Sequence, residues 1–406
     1  MKLSQIVLLL LLLLPGLADA KAKKVDDYHW TGVERVVAIG DLHGDFDRYI
    51  DVMQSAGLID KKSKWIGGET HLVQTGDIPD RGADTRKIID HIVKLARQAK
   101  RKGGYIHLLI GNHEAMNVIG DLRYVTEGEF NAFTTRQSSR LRDKQWELQV
   151  DWMRANTADF EEVDLVSFRQ EWDQKVPLGW VEHRQAWSLN GEYGSIVNGN
   201  QVAVQINDTI FLHGGISAKY CKFSLQSLTE QVIEVMAHYD PTIVTIVNDP
   251  LGPLWYRGLA LEKDEEIFSQ TLDNILNRYG AKRIVVGHTP TGGVVWPRFD
   301  QRVVVNDTGI AAYYGSHKGV LELTAESTTA IYGDQRIPLP TQDSGREEYL
   351  RAVIEADSNN AQLKERLAVM LAPPVEGVDD SADETIVAQG EAVELVEVIQ
   401  IPGTCQ

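Results

Sequence analysis

Cysteine is scarce. The chain of 406 residues has two, Cys221 and Cys405. That count excludes a zinc site of four cysteines. Their distance apart excludes a finger of two cysteines and two histidines, whose cysteines lie close in sequence. Whether they pair is left open: an exported protein permits a disulfide, and sequence separation says nothing about whether two Cα atoms come near enough to bridge. Long apolar runs are also missing. Ile6 to Leu14 is an unbroken run of nine apolar residues, well short of the roughly 20 a membrane-spanning helix needs. With Lys2 before it, Pro15-Gly16 ending it and the small-x-small Ala18-Asp19-Ala20 behind, residues 1–20 read as a signal peptide. No cysteine follows to carry a lipid, and no second stretch is long enough to span. The expectation is an exported protein, periplasmic or extracellular, with no stable membrane insertion after cleavage. Excess basic charge is absent as well. Net charge is −17, and residues 340–406, with 14 acidic and 4 basic side chains, carry −10 of it. Since neither part is basic, nucleic acid and anionic membrane are poor partners. There is no internal repeat of whole domains.

What is present is a recurring unit: a short apolar, often β-branched run, a glycine or polar residue, then a side chain able to bind metal. Val36–Ile39 leads into Gly40-Asp41-Leu42-His43-Gly44, His71–Gln74 into Gly76-Asp77, and Ile106–Ile110 into Gly111-Asn112-His113-Glu114. Ile210–Leu212 leads into His213-Gly214-Gly215, and Arg283–Val286 into Gly287-His288. Such runs predict buried strands. Helical patterns over Phe46–Ala56 and Thr85–Lys102, the latter stopped by Gly103-Gly104, lie between the first three. The alternation predicts an α/β fold, with the polar motifs gathered at the carboxyl ends of the strands, where ligands bind in such folds.

Hydrolysis of a phosphate ester requires shielding of the phosphate oxygens, a nucleophile that is strong at neutral pH and a proton for the leaving oxygen. Two metals about 3.5–4 Å apart supply the first two, the second by activating a water. Asp41, His43, Asp77, Asn112, His213 and His288 offer three oxygen and three imidazole ligands. A donor set without sulfur suits two divalent ions of Mn, Fe or Zn rather than Cu(I) or an iron–sulfur cluster. A lone Gly-His or His-Gly-Gly is more often a turn; five such motifs in order, each after a strand-like run, are not.

Gly40-Asp41-Leu42-His43-Gly44, Gly76-Asp77-Ile78-Pro79-Asp80-Arg81-Gly82 and Gly111-Asn112-His113-Glu114 resemble the signature motifs of the PPP metallophosphatases, which have the calcineurin-like fold. His213-Gly214-Gly215, Arg257-Gly258 and Gly287-His288 match the later elements in order, so the resemblance covers roughly residues 33–325. Within that family, Pro253-Leu254-Trp255-Tyr256-Arg257-Gly258 and a long helical insertion look most like the Shewanella-like phosphatases. The resemblance implies a β-sandwich flanked by helices and a role for each residue. Asp41, His43 and Asp77 hold one metal; Asp77, Asn112, His213 and His288 hold the other, with Asp77 bridging. His113 donates the leaving-group proton, oriented by Asp80. Arg81 and Arg257 clamp the phosphate, with Asn112 beside them, because guanidinium geometry matches two oxygens.

Two departures stand out. Eukaryotic Ser/Thr phosphatases carry a loop rich in Pro, Asn and Cys after the last His, where this chain reads Asn306-Asp307-Thr308-Gly309-Ile310 on to Tyr313-Tyr314-Gly315. The insertion is also longer than theirs. Both weigh against carrying over Ser/Thr specificity, regulatory subunits or toxin sensitivity. Either Tyr313 or Tyr314 lines the substrate pocket or packs at a strand end. The domain expectation is residues 21–339 as the phosphatase unit, with helical insertion at about 121–199, and 340–406 as a tail. In the insertion, helices are expected around Lys144–Phe160 and Leu165–Gln174, covering or shaping the site. In the tail, Ser344-Gly345-Arg346-Glu347 reads as a capping box, Asn360–Leu371 as a helix and Glu376–Val398 as an acidic segment. Asn207-Asp208-Thr209 and Asn306-Asp307-Thr308 fit the glycosylation sequon; a glycan on the second would block the site. The leading functional reading is metal-dependent hydrolysis of phosphate monoesters, as a protein phosphatase acting on phosphotyrosine or phosphoserine/threonine. Its substrate is a phosphorylated protein or a small phosphomonoester. The alternatives are a nucleotide or dinucleoside polyphosphate hydrolase and, remotely, a non-catalytic binding module.

Overall fold

The computed structural model describes residues 28–263, 265–372 and 405. The expected signal peptide at residues 1–20 and the expected acidic segment Glu376–Val398 lie outside the described residues. The strands are β1 (His29–Trp30), β2 (Arg35–Ile39), β3 (His71–Gln74), β4 (Tyr105–Leu108), β5 (Ala203–Ile206), β6 (Thr209–Leu212), β7 (Arg283–Val286), β8 (Trp296–Arg298), β9 (Val303–Val305), β10 (Gly319–Thr324), β11 (Thr328–Tyr332) and β12 (Gln335–Pro338). They form two six-stranded sheets, in orders β1-β5-β6-β7-β9-β8 and β12-β11-β10-β2-β3-β4.

Register explains why the motifs converge. β2, β3 and β4 run parallel, with Ile39 level with Gln74 and Gln74 level with Leu108. In the other sheet β6, β7 and β9 run parallel, with Leu212, Val286 and Val305 in one row. The residues after these six strand ends therefore leave the sandwich at one edge. β3, β5 and β6 are buried along their whole length, as expected of strands covered on both faces.

The helices are α1 (Phe46–Ser55), α2 (Thr85–Lys100), α3 (Asn112–Ile119), α4 (Glu127–Ala132), α5 (Ser138–Asn156), α6 (Leu165–Lys175), α7 (Trp180–Trp187), α8 (Gly194–Val197), α9 (Leu225–Ala237), α10 (Gly258–Leu261), α11 (Glu265–Tyr279), α12 (Arg346–Ala356) and α13 (Ala361–Leu371). Helix α2 buries Ile88, Ile92 and Leu95, the face the 3.6-residue period selects. Helices α4 to α8 make up the insertion, which has a small core of its own in Phe130, Met153, Phe168, Trp172 and Trp180. Helix α5 starts and stops earlier than its pattern suggests, because Thr157 is extended and Phe160–Glu162 forms a separate short turn.

The capping box expected at Ser344 does not form. Asp343–Gly345 is a 3-10 turn, the cap position of α12 falls on Gly345, and no side chain caps it. Ion pairs decide this local structure: Arg346 Nη2 reaches Asp343 Oδ2 at 2.9 Å and Glu265 Oε2 at 3.1 Å. Asn360 does cap α13, its side chain accepting from the amides of Gln362 and Leu363. Cys221 and Cys405 are joined as a disulfide, with Cα atoms 5.2 Å apart.

Candidate active site

The loops leaving the strands turn more sharply than ordinary L-residues allow. His43, Asp77, Asp80, Arg81 and His288 all have positive φ, at 41°, 61°, 74°, 65° and 64°. Such conformations cost of order 1–3 kcal/mol each and persist where the surroundings over-determine them. Two glycines make the close approach possible. A Cβ on Gly111 would lie 2.2 Å from Asp77 Oδ1, and one on Gly287 2.6 Å from Asp41 Oδ1.

Three imidazoles are each tied back by a main-chain carbonyl. His43 Nδ1 donates to Pro79 O at 3.2 Å, His213 Nδ1 to Thr75 O at 2.9 Å and His288 Nε2 to Trp255 O at 3.2 Å. That fixes the tautomers and turns the other ring nitrogens inward. Asp77 Oδ2 sits 3.2 Å from His213 Nε2, 3.7 Å from His113 Nε2 and 4.0 Å from His43 Nε2. Asp41 Oδ2 is 3.9 Å from His43 Nε2 and accepts from the His288 amide at 3.2 Å.

These residues fit a metal pair. His213 Nε2 and His288 Nδ1 face each other at 3.1 Å, and His213 Nε2 lies 2.8 Å from Asn112 Oδ1. With both ring N–H groups committed to carbonyls, all three facing atoms are lone-pair donors, an arrangement that a cation relieves. His43 and Asp77 cluster with His113 beside them, and Asp77 clusters again with His213 and His288, so Asp77 is common to both groups.

Electrostatics follow from burial and crowding. Burial, with Asp307 and Asp77 near, pushes the Asp41 carboxyl well up. Burial alone would raise Asp77 too, but His213, His113 and His43 around it hold it well below the usual range. Burial lowers His43 to about 3 and, with Arg257, takes His288 well below the usual imidazole range. For His113, burial favours the neutral ring, but Asp77 and Asp80 outweigh it and raise the group to about 9. Bound cations would loosen that proton. Its Nδ1 lies 2.5 Å from Asp80 Oδ2, and Asn117 Nδ2 donates to the other Asp80 oxygen at 3.0 Å.

The expected phosphate clamps stand at the edges of this centre. Arg257 Nη1 donates to His288 O at 2.5 Å and to Thr289 Oγ1 at 3.3 Å. The Arg81 guanidinium lies over the Tyr124 ring at 4.0 Å and the Tyr313 ring at 4.7 Å, and donates to the Tyr313 hydroxyl at 3.2 Å. Tyr314 packs 5.1 Å from the His43 ring. All the residues that the sequence nominates for metals, acid and phosphate thus lie together.

Others were missed. Glu114 stands inside a recognised motif, yet its role depends on tertiary contacts: it accepts from the amides of Gly111, Asp77 and Ile78 at 2.8, 2.8 and 2.7 Å. Burial, with Asp77 near, raises it to about 7. Asp307, after β9, is a further buried carboxylate, raised to about 6 by burial. Its signal was there, another β-branched run followed by polar residues. Asn306 is 0% exposed, so the sequon beside the site offers no acceptor on the folded chain.

The model of the calcineurin-like phosphoesterase family matches residues 34–292. This chain belongs to the calcineurin-like phosphoesterases. It is 29% identical over 307 residues to an uncharacterised protein of Schizosaccharomyces pombe, covering 73% of this chain and 79% of that one. It is 29% identical over 323 residues to Shewanella-like protein phosphatase 2 of Arabidopsis thaliana, covering 73% and 77%. Among solved structures, the cold-active protein-tyrosine phosphatase of a psychrophilic Shewanella superposes with a TM-score of 0.59 at 27% identity, over 78% of this chain and 83% of that one. This phosphoesterase is therefore a metal-dependent hydrolase of phosphate esters with a dinuclear divalent metal site.

Proposed function

We propose that this phosphoesterase is an exported protein phosphatase that favours phosphotyrosine. The observation that carries the reading is the aromatic rim around Arg81. Tyr313 is 44% exposed beside a guanidinium expected to bind phosphate, and the Tyr124 ring also packs on that guanidinium. A phenyl ring whose phosphate reaches Arg81 gains an aromatic neighbour, worth about 0.5–1.5 kcal/mol beyond its buried area; a serine side chain gains none. The likeness to a solved protein-tyrosine phosphatase supports the same reading. Export is supported by the apolar run Ile6–Leu14 and the Cys221–Cys405 bond, which suits an oxidising compartment.

In this reading Asp41, His43 and Asp77 hold one ion and Asp77, Asn112, His213 and His288 the other. Nitrogen and oxygen donors suit Mn, Fe or Zn. When bound, the ions would neutralise phosphoryl charge and lower the pKa of the attacking water. Arg81 and Arg257, with Asn112, hold the phosphate oxygens. His113 carries its transferable proton on Nε2, because Nδ1 is engaged by Asp80, and passes it to the leaving oxygen. A phosphate-release panel tests the assignment, using Mn-loaded protein on phosphotyrosine peptides, phosphoserine peptides and dinucleoside polyphosphates. Phosphotyrosine should give the highest kcat/KM. Preferential cleavage of a dinucleoside polyphosphate would overturn the protein-phosphatase reading, and no turnover on any substrate would favour a binding module.

A further inference from the structure

The turn that carries Asp80 and Arg81 is gripped, residue by residue, by the start of the helical insertion. The Asp80 amide donates to Glu129 Oε2 at 3.2 Å. The Arg81 amide donates to Tyr124 O at 3.1 Å. Thr126 Oγ1 donates to Gly82 O at 3.2 Å, and the same hydroxyl caps α4 by accepting from the Glu129 amide, also at 3.2 Å. Close approach is built in: a Cβ on Gly128 would fall 2.8 Å from the Ala83 Cβ.

Two facts make this more than packing. Asp80 and Arg81 are consecutive non-glycine residues at positive φ, a conformation that external contacts must hold. Glu129 is a fully buried carboxyl group, 0% exposed, with one oxygen accepting from the Asp80 amide and the other, Oε1, 4.0 Å from His183 Nε2 of the insertion. Burying a carboxyl group is expensive unless its contacts compensate, and the main-chain amide that Glu129 accepts from belongs to the residue that orients His113. From the other side Arg184 of α7, also buried, donates to the Asn117 and Val118 carbonyls at the end of α3, the helix that begins with Asn112 and His113.

We propose that Glu129 is a positioning residue: through the Asp80 amide it sets the turn that aims both the Asp80 carboxylate at His113 and the Arg81 guanidinium at phosphate. The insertion then serves as part of the acid and phosphate machinery, beyond any role as a cover. This rests on the assignment of His113–Asp80 as the acid pair and Arg81 as a phosphate ligand.

The test compares Glu129→Ala, which removes the acceptor, with Glu129→Gln, which keeps an acceptor oxygen of the same reach. Two readings are taken at matched metal content: the dependence of kcat on leaving-group pKa across a series of aryl and alkyl phosphates, and the inhibition constant of inorganic phosphate. Glu129→Ala should steepen the first and raise the second about tenfold, while Glu129→Gln stays within about threefold of wild type on both. An unchanged slope with an unchanged phosphate constant in Glu129→Ala overturns the proposal. So does a Gln variant that falls as far as the Ala one, since charge rather than acceptance would then matter. If Glu129→Ala does not fold, Thr126→Val carries the same readings by releasing Gly82, with the same outcomes decisive. His113→Asn is run alongside. Should it leave the leaving-group slope unchanged, the acid assignment fails on its own, and the Glu129 proposal is judged by the phosphate constant.

Discussion

His113 Nδ1 meets Asp80 Oδ2 at 2.5 Å, and Nε2 of the same ring lies 3.7 Å from Asp77 Oδ2. One imidazole thus joins the shared metal ligand to a carboxylate that binds no metal in the proposed ligand set. A ring so held presents its proton in one direction. General acids are typically worth about 10²–10⁴-fold, and the benefit grows as the leaving group becomes more basic. His113→Asn should therefore slow phosphoserine peptides far more than nitrophenyl phosphate, with Asp80→Asn doing so more mildly and metal content unchanged in both. The measurement is kcat across leaving groups. An equal loss for all of them would place the acid elsewhere.

Asp77→Asn should be the most damaging single change. It touches both ligand groups and also anchors the His113 amide through Oδ1 at 2.9 Å. Metal content by mass spectrometry should fall together with turnover, by about 10³-fold or more if both ions are lost. Two retained metals with near-normal kcat would refute the ligand set.

Tyr313→Ala should raise KM for phosphotyrosine peptides about two- to twelvefold, the worth of one aromatic contact of about 0.5–1.5 kcal/mol, and leave phosphoserine peptides nearly unchanged. Arg81 also loses the hydroxyl it donates to, a small change that would fall equally on both substrate classes. Tyr313→Phe separates the two causes by keeping the ring. A uniform change across substrates would remove Tyr313 from substrate recognition.

A buried histidine pair away from the site predicts acid sensitivity. His71 Nδ1 and His107 Nε2 lie 3.1 Å apart, with Trp30 and Tyr105 packed around them. Burial, with His71 near, lowers His107 to about 3. The neutral ring is the one that folds. Above about pH 6.5 both states are neutral and the pair costs nothing. As pH falls from 6.5 toward 3 the unfolded chain takes up protons the folded chain refuses, and stability drops by an amount on the order of a few kcal/mol. Thermal unfolding followed from pH 7 to pH 4 should show Tm falling in wild type and falling less in His107→Phe. Parallel curves would exclude the pair as the cause.

The Cys221–Cys405 bond closes a loop with a separation of 184 residues. Chain entropy alone sets its contribution at about 5 kcal/mol, less if the unfolded chain retains structure. Cys221→Ser, or reductant on the wild type, should lower Tm by several degrees without changing kcat/KM on nitrophenyl phosphate. No shift in Tm would mean the bond restrains nothing that matters to folding.

The frame of the site was legible because each ligand follows a β-branched run, and a buried strand leaves little choice about where its next residue goes. Gly40-Asp41 after Val36–Ile39 and Gly287-His288 after Arg283–Val286 are read from neighbours in sequence. Glu129 has no such signal. It lies in a six-residue helix with Glu127 beside it, and a surface acid and a buried one look alike until the fold brings Asp80 to its side. Ser344 shows the reverse failure, a good local pattern overridden by Arg346 pairing with Asp343 and with Glu265, 81 positions away. The cysteine pair was open in sequence for the same reason: only three-dimensional proximity decides it.

The bond between Cys221 and Cys405 also changes what a protease can do. Because it spans nearly half the chain, a single cut anywhere from 222 to 404 opens a ring and releases no fragment. A nicked molecule would run as one species on a non-reducing gel and as two once thiol is added, with residue 405 still fastened to Cys221, on the loop that follows His213.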